Sequence, residues 1–287
     1  MKKGYCLTFF LSLWLSPGLL PQASAGGAAT ESERPTQSLS LTLTQAKTSA
    51  LAQRSSRASG LRVLRRSIKE NNRRRKYTIE VFYPQLAGAE SANVVQLNSA
   101  IKELINAEVN DFKQNAQTPD ASLPKELQQS SLDAGYTIEH QSADLVSISF
   151  GFSTFYAGAA HPNHHTLVLN YDLKAGRTLS LADLFNPRSG YMQAISDYTI
   201  KDLKKQLGPS PDTEWIERGA APSSENYKSW TITPKGLSIM FDPYQVASYA
   251  EGSHLVVIPY NALRSIINME GPLGPLARRT PVRRGRR

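Results

Sequence analysis

Cysteine is almost absent from this chain of 287 residues. The one cysteine, Cys6, lies in an N-terminal segment with the pattern of a secretory signal. Lys2 and Lys3 precede a short apolar run, and the small residues Ala23–Ala25 offer a cleavage site. Cleavage near Ala25 leaves a mature chain without cysteine. We therefore expect a periplasmic or secreted protein whose stability depends on its core and not on disulfides.

Long apolar runs and common catalytic motifs are also missing. After the signal segment, no stretch is apolar enough to cross a bilayer. The sequence has no Gly-x-Ser-x-Gly, no phosphate-binding loop and no His-Glu-x-x-His. A glycosidase-type pair of carboxylates would leave no sequence signature, because its separation is spatial. The sequence is therefore more typical of a binding protein than of an enzyme.

Acidic residues are scarce at both ends of the chain. Residues 54–76 carry ten Lys and Arg against Glu70 alone, and residues 270–287 carry six Arg against Glu270. Between them, residues 77–269 carry 13 Lys and Arg against 20 Asp and Glu. The sequence predicts an acidic body between two basic tails. The net charge of +9 therefore does not indicate a nucleic-acid-binding protein.

The basic segments have little apolar surface to bury. Residues 26–76 are rich in Ser, Thr, Ala, Gln and Arg and contain no aromatic residue. This composition predicts a disordered basic leader over 26–76, and a disordered basic tail over 270–287. Such tails are suited to contact an anionic membrane or wall polymer.

The middle of the chain mixes strand and helix patterns. Val146, Ile148, Phe150 and Phe152 alternate with Ser and Gly, which predicts a strand. Apolar residues spaced by three and four over residues 91–115 predict an amphipathic helix. Without regular βαβ alternation, we expect an α+β fold with mainly antiparallel sheets and two to three helices. We predict an N-terminal lobe over 77–165 and a C-terminal lobe over 166–269.

Two stretches carry a family resemblance. The first runs from Tyr156-x-Gly-x-Ala-His161-Pro-Asn163 through the segment 170–185, and the second is the segment 230–252. They resemble a paired module of unknown function, shared by the extracytoplasmic part of the lysozyme-sensing anti-sigma-V factor and the non-catalytic region of a peptidoglycan deacetylase. The resemblance covers about residues 77–268. It implies a deacetylase-associated first lobe, an anti-sigma-V-like second lobe, and a lysozyme-like protein or wall glycan as partner.

The loop between the two central strands supplies the first candidate binding residues, Tyr156, His161 and Asn163. The nearby His164 and His165 raise the question of a metal site. Adjacent strand residues point to opposite faces, and zinc needs three convergent protein ligands. We therefore expect no metal and no cofactor. We expect His161 to order the loop.

A later turn supplies Asp242, Tyr244, Tyr249 and Glu251. Acidic and aromatic side chains on a turn could meet a basic partner or stack on a sugar ring. The alternative is that Asp242 caps the turn while the tyrosines pack.

We therefore expect a non-catalytic, exported envelope protein whose acidic module recognises a cationic protein such as lysozyme. The alternative is a module that binds peptidoglycan or another polysaccharide, or an accessory part of an envelope glycan hydrolase or deacetylase.

Overall fold

A computed structural model describes residues 60–88, 91–209 and 211–279 of the chain, apart from the side chain of Glu126. The predicted signal segment, the first part of the predicted leader and the end of the predicted tail lie outside these residues. Within the described ranges, no helix combines the length and apolarity that a membrane crossing requires.

The first strand pair corrects the prediction of a disordered leader up to residue 76. Strand β1 (Arg62–Asn72) pairs antiparallel with β2 (Tyr77–Ala87) along its full length. Ile68 lies opposite Val81 and packs against the core. The prediction failed because an edge strand needs little apolar surface of its own. Its backbone bonds to β2, and its basic side chains discourage further pairing at the edge.

Among the described residues, six strands form the main sheet in the order β1-β2-β3-β4-β5-β6, and only β2 and β3 pair in parallel. The remaining strands are β3 (Ser130–Gln141), β4 (Leu145–Phe155), β5 (Asn163–Asp172) and β6 (Arg177–Thr178). Helix α1 (Ala92–Asn115) connects β2 to β3, which gives the chain length that a parallel connection requires.

Helix α1 covers one face of the main sheet, which we call the inner face. The predicted spacing is confirmed, because one side of α1 is buried at Val94, Leu97, Ile101, Ile105, Val109 and Phe112. The predicted alternation in β4 is also confirmed, since its inner-face residues are buried in the same core: Val146, Ile148, Phe150 and Phe152.

A smaller antiparallel sheet forms the second part of the fold, in the order β7-β8-β9. Its strands are β7 (Trp230–Ile232), β8 (Gly236–Phe241) and β9 (His254–Pro259). It shares a second core with helices α2 (Tyr191–Gln206), α3 (Thr213–Gly219), α4 (Tyr260–Leu263) and α5 (Gly274–Arg279). The mixed, mainly antiparallel α+β class is confirmed.

Helix α5 corrects the predicted disordered tail as far as Arg279. Leu273 and Ala277 are buried in the second core. Residues four apart lie on one side of a helix, so even this short segment presents an apolar face. The prediction of disorder was based on the basic composition of the surrounding sequence and overlooked this apolar face.

The predicted lobe boundary between residues 165 and 166 is also wrong, because it cuts through β5. The two parts meet instead at a buried polar cluster. Asn170 Nδ2 donates to the carbonyl oxygen of Trp230 at 2.8 Å, and Ser147 Oγ accepts from the N–H of Ile232 at 2.9 Å.

The charge of the folded body differs from the prediction too. Residues 60–279 carry 23 Lys and Arg against 22 Asp and Glu. The body is almost neutral, because the basic residues of β1, the following turn and α5 belong to it. Lys69, for example, pairs with Glu80 across the β1–β2 hairpin at 2.5 Å.

Candidate functional site

The outer face of the main sheet, opposite α1, is only partly covered. At one end, β7 packs over Ser147 and Asn170, which are both buried. At the other end an open cleft of about 600 Å³ remains. Its walls come from the main sheet and from the segment after β8: Arg65, Glu80, Phe82, Asp133, Ala134, Phe152, Ser153, His164, His165, Thr166, Asp242 and Ser253.

Two glycines form the floor of this cleft. Gly135 of β3 lies opposite Gly151 of β4, and both are exposed. A Cβ atom added to either would meet no heavy atom within 4 Å. A glycine inside a strand weakens the strand, and it often marks a site where a ligand or another backbone segment approaches closely. This pair keeps the sheet surface open to a ligand.

One wall combines an aromatic ring with charged groups. The Arg65 guanidinium lies 3.7 Å from the ring centroid of Phe82, a cation–π geometry. Glu80 lies beside Asp133 in the parallel β2–β3 register, and both are exposed. This wall therefore combines the Phe82 ring, with the Arg65 guanidinium over it, and two exposed carboxylates.

Three aromatic side chains form a rim beside the opposite wall. We call His161, Tyr244 and Tyr249 the aromatic rim. The rings of His161 and Tyr249 stack with centroids 3.9 Å apart, and Tyr244 Oη lies 3.3 Å from His161 Nε2. His164, which lines the cleft, lies 6.2 Å from the Tyr249 ring. The rim therefore adjoins the cleft.

Tyr244 adopts a backbone conformation that aromatic residues rarely take. Its φ is 70°, and its side chain is 52% exposed. The left-handed region costs a non-glycine residue roughly 1–2 kcal/mol. The indole N–H of Trp215 donates to the carbonyl oxygen of Tyr244 at 3.1 Å and holds this backbone in place. The fold thus tolerates strain to present an exposed aromatic ring.

The rest of the turn is mainly structural. Asp242 lines the cleft, and its Oδ2 accepts the N–H of Thr166 at 2.9 Å. Within the described ranges its buried Oδ1 has no hydrogen-bond partner. Glu251 accepts from the backbone N–H and the hydroxyl of Ser248, both at 2.9 Å, and so caps a short 3₁₀ turn.

The other two predicted residues are not members of the rim. Tyr156 stacks on Phe112 of α1 with ring centroids 5.8 Å apart, and burial raises the pKa of its phenol. Asn163 is exposed at the start of β5. The structure therefore brings together His161, Tyr244 and Tyr249, with Asp242 nearby in the cleft wall.

The adjacent histidines have different surroundings. His165 Nε2 lies 3.0 Å from Glu108 of α1, and its ring stacks on Phe152. His164 is exposed in the cleft wall. In the part of the chain that the structure describes, no three His, Cys, Asp or Glu side chains are grouped to hold a metal ion.

Sequence reasoning missed the main-sheet wall and floor of the cleft. Arg65 was assigned to the leader, and Glu80 and Asp133 were not singled out. The one signal in the sequence was a glycine within each of two strand patterns, at Gly135 and Gly151, which can mark a ligand's approach to a sheet.

Comparisons with known proteins match two separate stretches of the chain. Residues 70–164 match the family described as "Deacetylase PdaC", and residues 182–261 match "Protein of unknown function (DUF3298)". The peptidoglycan-N-acetylmuramic acid deacetylase PdaC of Bacillus subtilis (strain 168) is 28% identical over 172 residues, covering 60% of this chain. The chain spans only 36% of that relative's length.

Two crystal structures resemble the fold. A member of the DUF3298 family from Bacteroides fragilis has a TM-score of 0.51 at 16% identity, covering 78% of this chain and 100% of that one. A DUF3298 protein from Pseudomonas aeruginosa has a TM-score of 0.50 at 16% identity, covering 72% of this chain and 94% of that one. The likeness to the anti-sigma-V factor stays a prediction. The chain thus joins a stretch similar to PdaC to a stretch similar to DUF3298.

Proposed function

We propose that this chain is an exported cell-envelope module whose cleft binds a wall glycan. The observation that carries the proposal is Tyr244, an exposed aromatic ring held at φ 70° beside an open cleft. A glycine at this position would avoid the strain. A role of the exposed ring in binding would account for this cost.

The chemistry of the cleft suits a sugar chain. A pyranose ring has apolar C–H faces that pack on aromatic rings, and hydroxyls that need hydrogen-bond partners. The aromatic rim provides the first kind of surface. Asp133 provides acceptors for the second, and Glu80, which pairs with Lys69, keeps further lone pairs. The volume of about 600 Å³ lies within the usual range of ligand sites.

The sequence relationship supports the same ligand class. The matched relative is named for deacetylation of N-acetylmuramic acid in peptidoglycan. A glycan-binding module would hold such an enzyme, or a separate partner, near its polymer. The proposed export of the chain would place it in the compartment of that polymer.

The second candidate is a cationic protein such as lysozyme. Its basis is the acidic run around Trp215, which consists of Asp212, Glu214, Glu217 and Glu225. The carboxylates of this run largely have local roles, since Asp212 accepts the N–H of Trp215 at 2.9 Å and Glu217 pairs with Lys204 at 2.8 Å. Together with the nearly neutral body, these contacts favour the glycan.

The test compares two glycine substitutions in the full chain. Tyr244→Gly removes the ring and relieves the backbone strain. Arg188→Gly relieves the same kind of strain at φ 59°, and Arg188 does not line the cleft. We expect Tyr244→Gly to weaken binding to purified peptidoglycan by about tenfold or more, while Arg188→Gly binds like the unchanged protein.

Cosedimentation with peptidoglycan, followed by titration with soluble glycan fragments, measures both variants. Equal binding by Tyr244→Gly and the unchanged protein would contradict the proposal. So would tight, salt-sensitive binding to lysozyme without any binding to glycan, which would favour the second candidate.

A further inference from the structure

A second cavity, of about 370 Å³, lies at the turn between β1 and β2. We call it the turn pocket. Its lining consists of three cationic side chains, four amides and one tyrosine: Arg73, Lys76, Lys125, Asn71, Asn72, Gln128, Gln129 and Tyr77. None of these lining residues is a carboxylate. The pocket is therefore rich in hydrogen-bond donors and positive charge.

The nearby carboxylate of Glu70 is engaged with other partners. Glu70 pairs with Lys113 at 2.5 Å and accepts from Tyr77 Oη at 2.6 Å. The Lys113 ammonium, with the Tyr77 hydroxyl, holds the pKa of Glu70 below its usual value. Among the side chains that the structure describes, which do not include Glu126, Arg73, Lys76 and Lys125 form no ion pair.

The adjacent Arg75 has a structural role and does not line the pocket. Its guanidinium donates to the carbonyl oxygens of Lys113 and Ala116, at 2.7 and 2.8 Å. These oxygens lie at the C-terminal end of α1, where a cation is favourable. Of the four consecutive cations in the turn, Arg75 therefore stabilises the helix, while Arg73 and Lys76 line the pocket.

Lys76 is held in a strained backbone conformation. Its φ is 52°, in the left-handed region that glycine or asparagine would occupy at lower cost. Its ammonium donates to Gln128 Oε1 at 2.5 Å and retains two further donor positions. The turn thus accepts strain to place a lysine at the pocket, as the later turn does for Tyr244.

We propose that the turn pocket binds a phosphate group. Phosphate presents several acceptor oxygens and negative charge, which match the three cations that line the pocket. A cavity lined from β1, β2 and the segment before β3 suits a compact anion. This site is separate from the glycan cleft, because the two cavities share no lining residue.

The test uses inorganic phosphate as the probe and two matched variants of the full chain. Lys76→Gly and Arg188→Gly each remove one cation and each place glycine at a positive φ. Arg188 lines neither cavity. We expect Lys76→Gly to weaken phosphate binding by about tenfold, and Arg188→Gly to change it by less than about twofold. Lys125→Gln, a second exposed variant, should weaken it as well.

Calorimetric titration at low and high salt measures the affinities. Equal weakening in Lys76→Gly and Arg188→Gly would overturn the proposal, because it would show a response to net charge alone. Absence of phosphate binding by the unchanged protein would overturn it too.

Binding to lipid vesicles distinguishes a lipid headgroup from a non-lipid phosphate as the ligand. Binding to phosphatidylglycerol vesicles that free phosphate competes away, with none to phosphatidylcholine vesicles, supports the site and assigns it to a lipid headgroup. Binding of free phosphate without vesicle binding supports the site and assigns it to a non-lipid phosphate.

Discussion

The outer face of β4 passes from a buried end to an open end within seven residues, Ser147 to Ser153. Ser147 is fully buried under β7, whereas Gly151 is exposed on the cleft floor. At the buried end, Ser147 Oγ donates to Asn170 Oδ1 at 2.6 Å and accepts from Ile232 N–H. At the open end, Gly151 presents no side chain.

The two ends show that the polar face of a sheet can either be buried with hydrogen-bond partners or be left open. A hydroxyl can be buried there only when partners replace its water, which Asn170 and β7 supply. A face left open for a ligand needs no such partners, but it needs room. The two glycines provide that room at a cost of roughly 0.5–1 kcal/mol each relative to alanine.

Substitution at the buried end should have the largest effect on stability. Asn170→Ala leaves the Trp230 carbonyl oxygen and the Ser147 hydroxyl without their bonds to Asn170. We expect the free energy of unfolding to fall by about 2–3 kcal/mol, because buried polar groups then lack partners. Denaturant titration measures the loss.

The same strand supplies the matched control for this change. Asn163 begins β5 at the open end and is exposed. Asn163→Ala should therefore change stability by no more than about 0.5 kcal/mol. Similar losses in both variants would show that the two ends of the strand do not differ as the contacts indicate.

Substitution at the open end should act in the opposite direction on stability. Gly151→Val adds a β-branched side chain where a Cβ meets no atom within 4 Å. We expect a gain of about 0.5–1 kcal/mol, since valine favours a strand more than glycine does. The same side chain occupies the cleft, so affinity for peptidoglycan should fall by about tenfold or more.

A graded series makes this prediction specific. Gly151→Ala should give part of the stability gain and a smaller loss of binding, because its side chain fills less of the cleft. Denaturant titration and peptidoglycan cosedimentation measure the two effects. Unchanged glycan affinity in Gly151→Val would argue against the cleft as the binding site.

The contrast between the two ends also explains what could be predicted from sequence. The alternation in β4 correctly separated Ser147, Gly151 and Ser153 from the buried apolar face. It could not show which of them would be covered, because the cover is β7, about 80 residues later in the chain. Coverage is a tertiary property that strand periodicity does not contain.

The candidate site was predictable only in part for the same reason. His161, Tyr244 and Tyr249 were singled out from motifs, but their contact joins segments 83 residues apart. Glu80 and Asp133 became neighbours through the parallel β2–β3 register. That register depends on the connection through α1, and no local pattern specifies it.

The last prediction concerns the position between the two ends, and its effect should be the smallest. Ser149 lies half-buried and donates to the Glu139 carboxylate at 2.7 Å. Burial raises the pKa of Glu139 above its ordinary value of 4.5, and the hydrogen bond from Ser149 opposes this. The folded chain therefore holds this proton more tightly than the unfolded chain does.

The sign of the pH effect follows from that difference. As the pH rises above about 4.5, the unfolded chain loses the proton first, so stability falls until the folded-state pKa is passed. Glu139→Gln removes this loss and should be more stable than the unchanged protein at neutral pH. The difference should shrink towards zero below the ordinary pKa. Denaturant titrations of both proteins at several pH values measure this difference in the free energy of unfolding. The neighbouring His140 titrates in both proteins, so it does not contribute to the difference. If the difference in stability did not vary with pH, the Glu139 carboxylate would be as solvated as the residues at the open end.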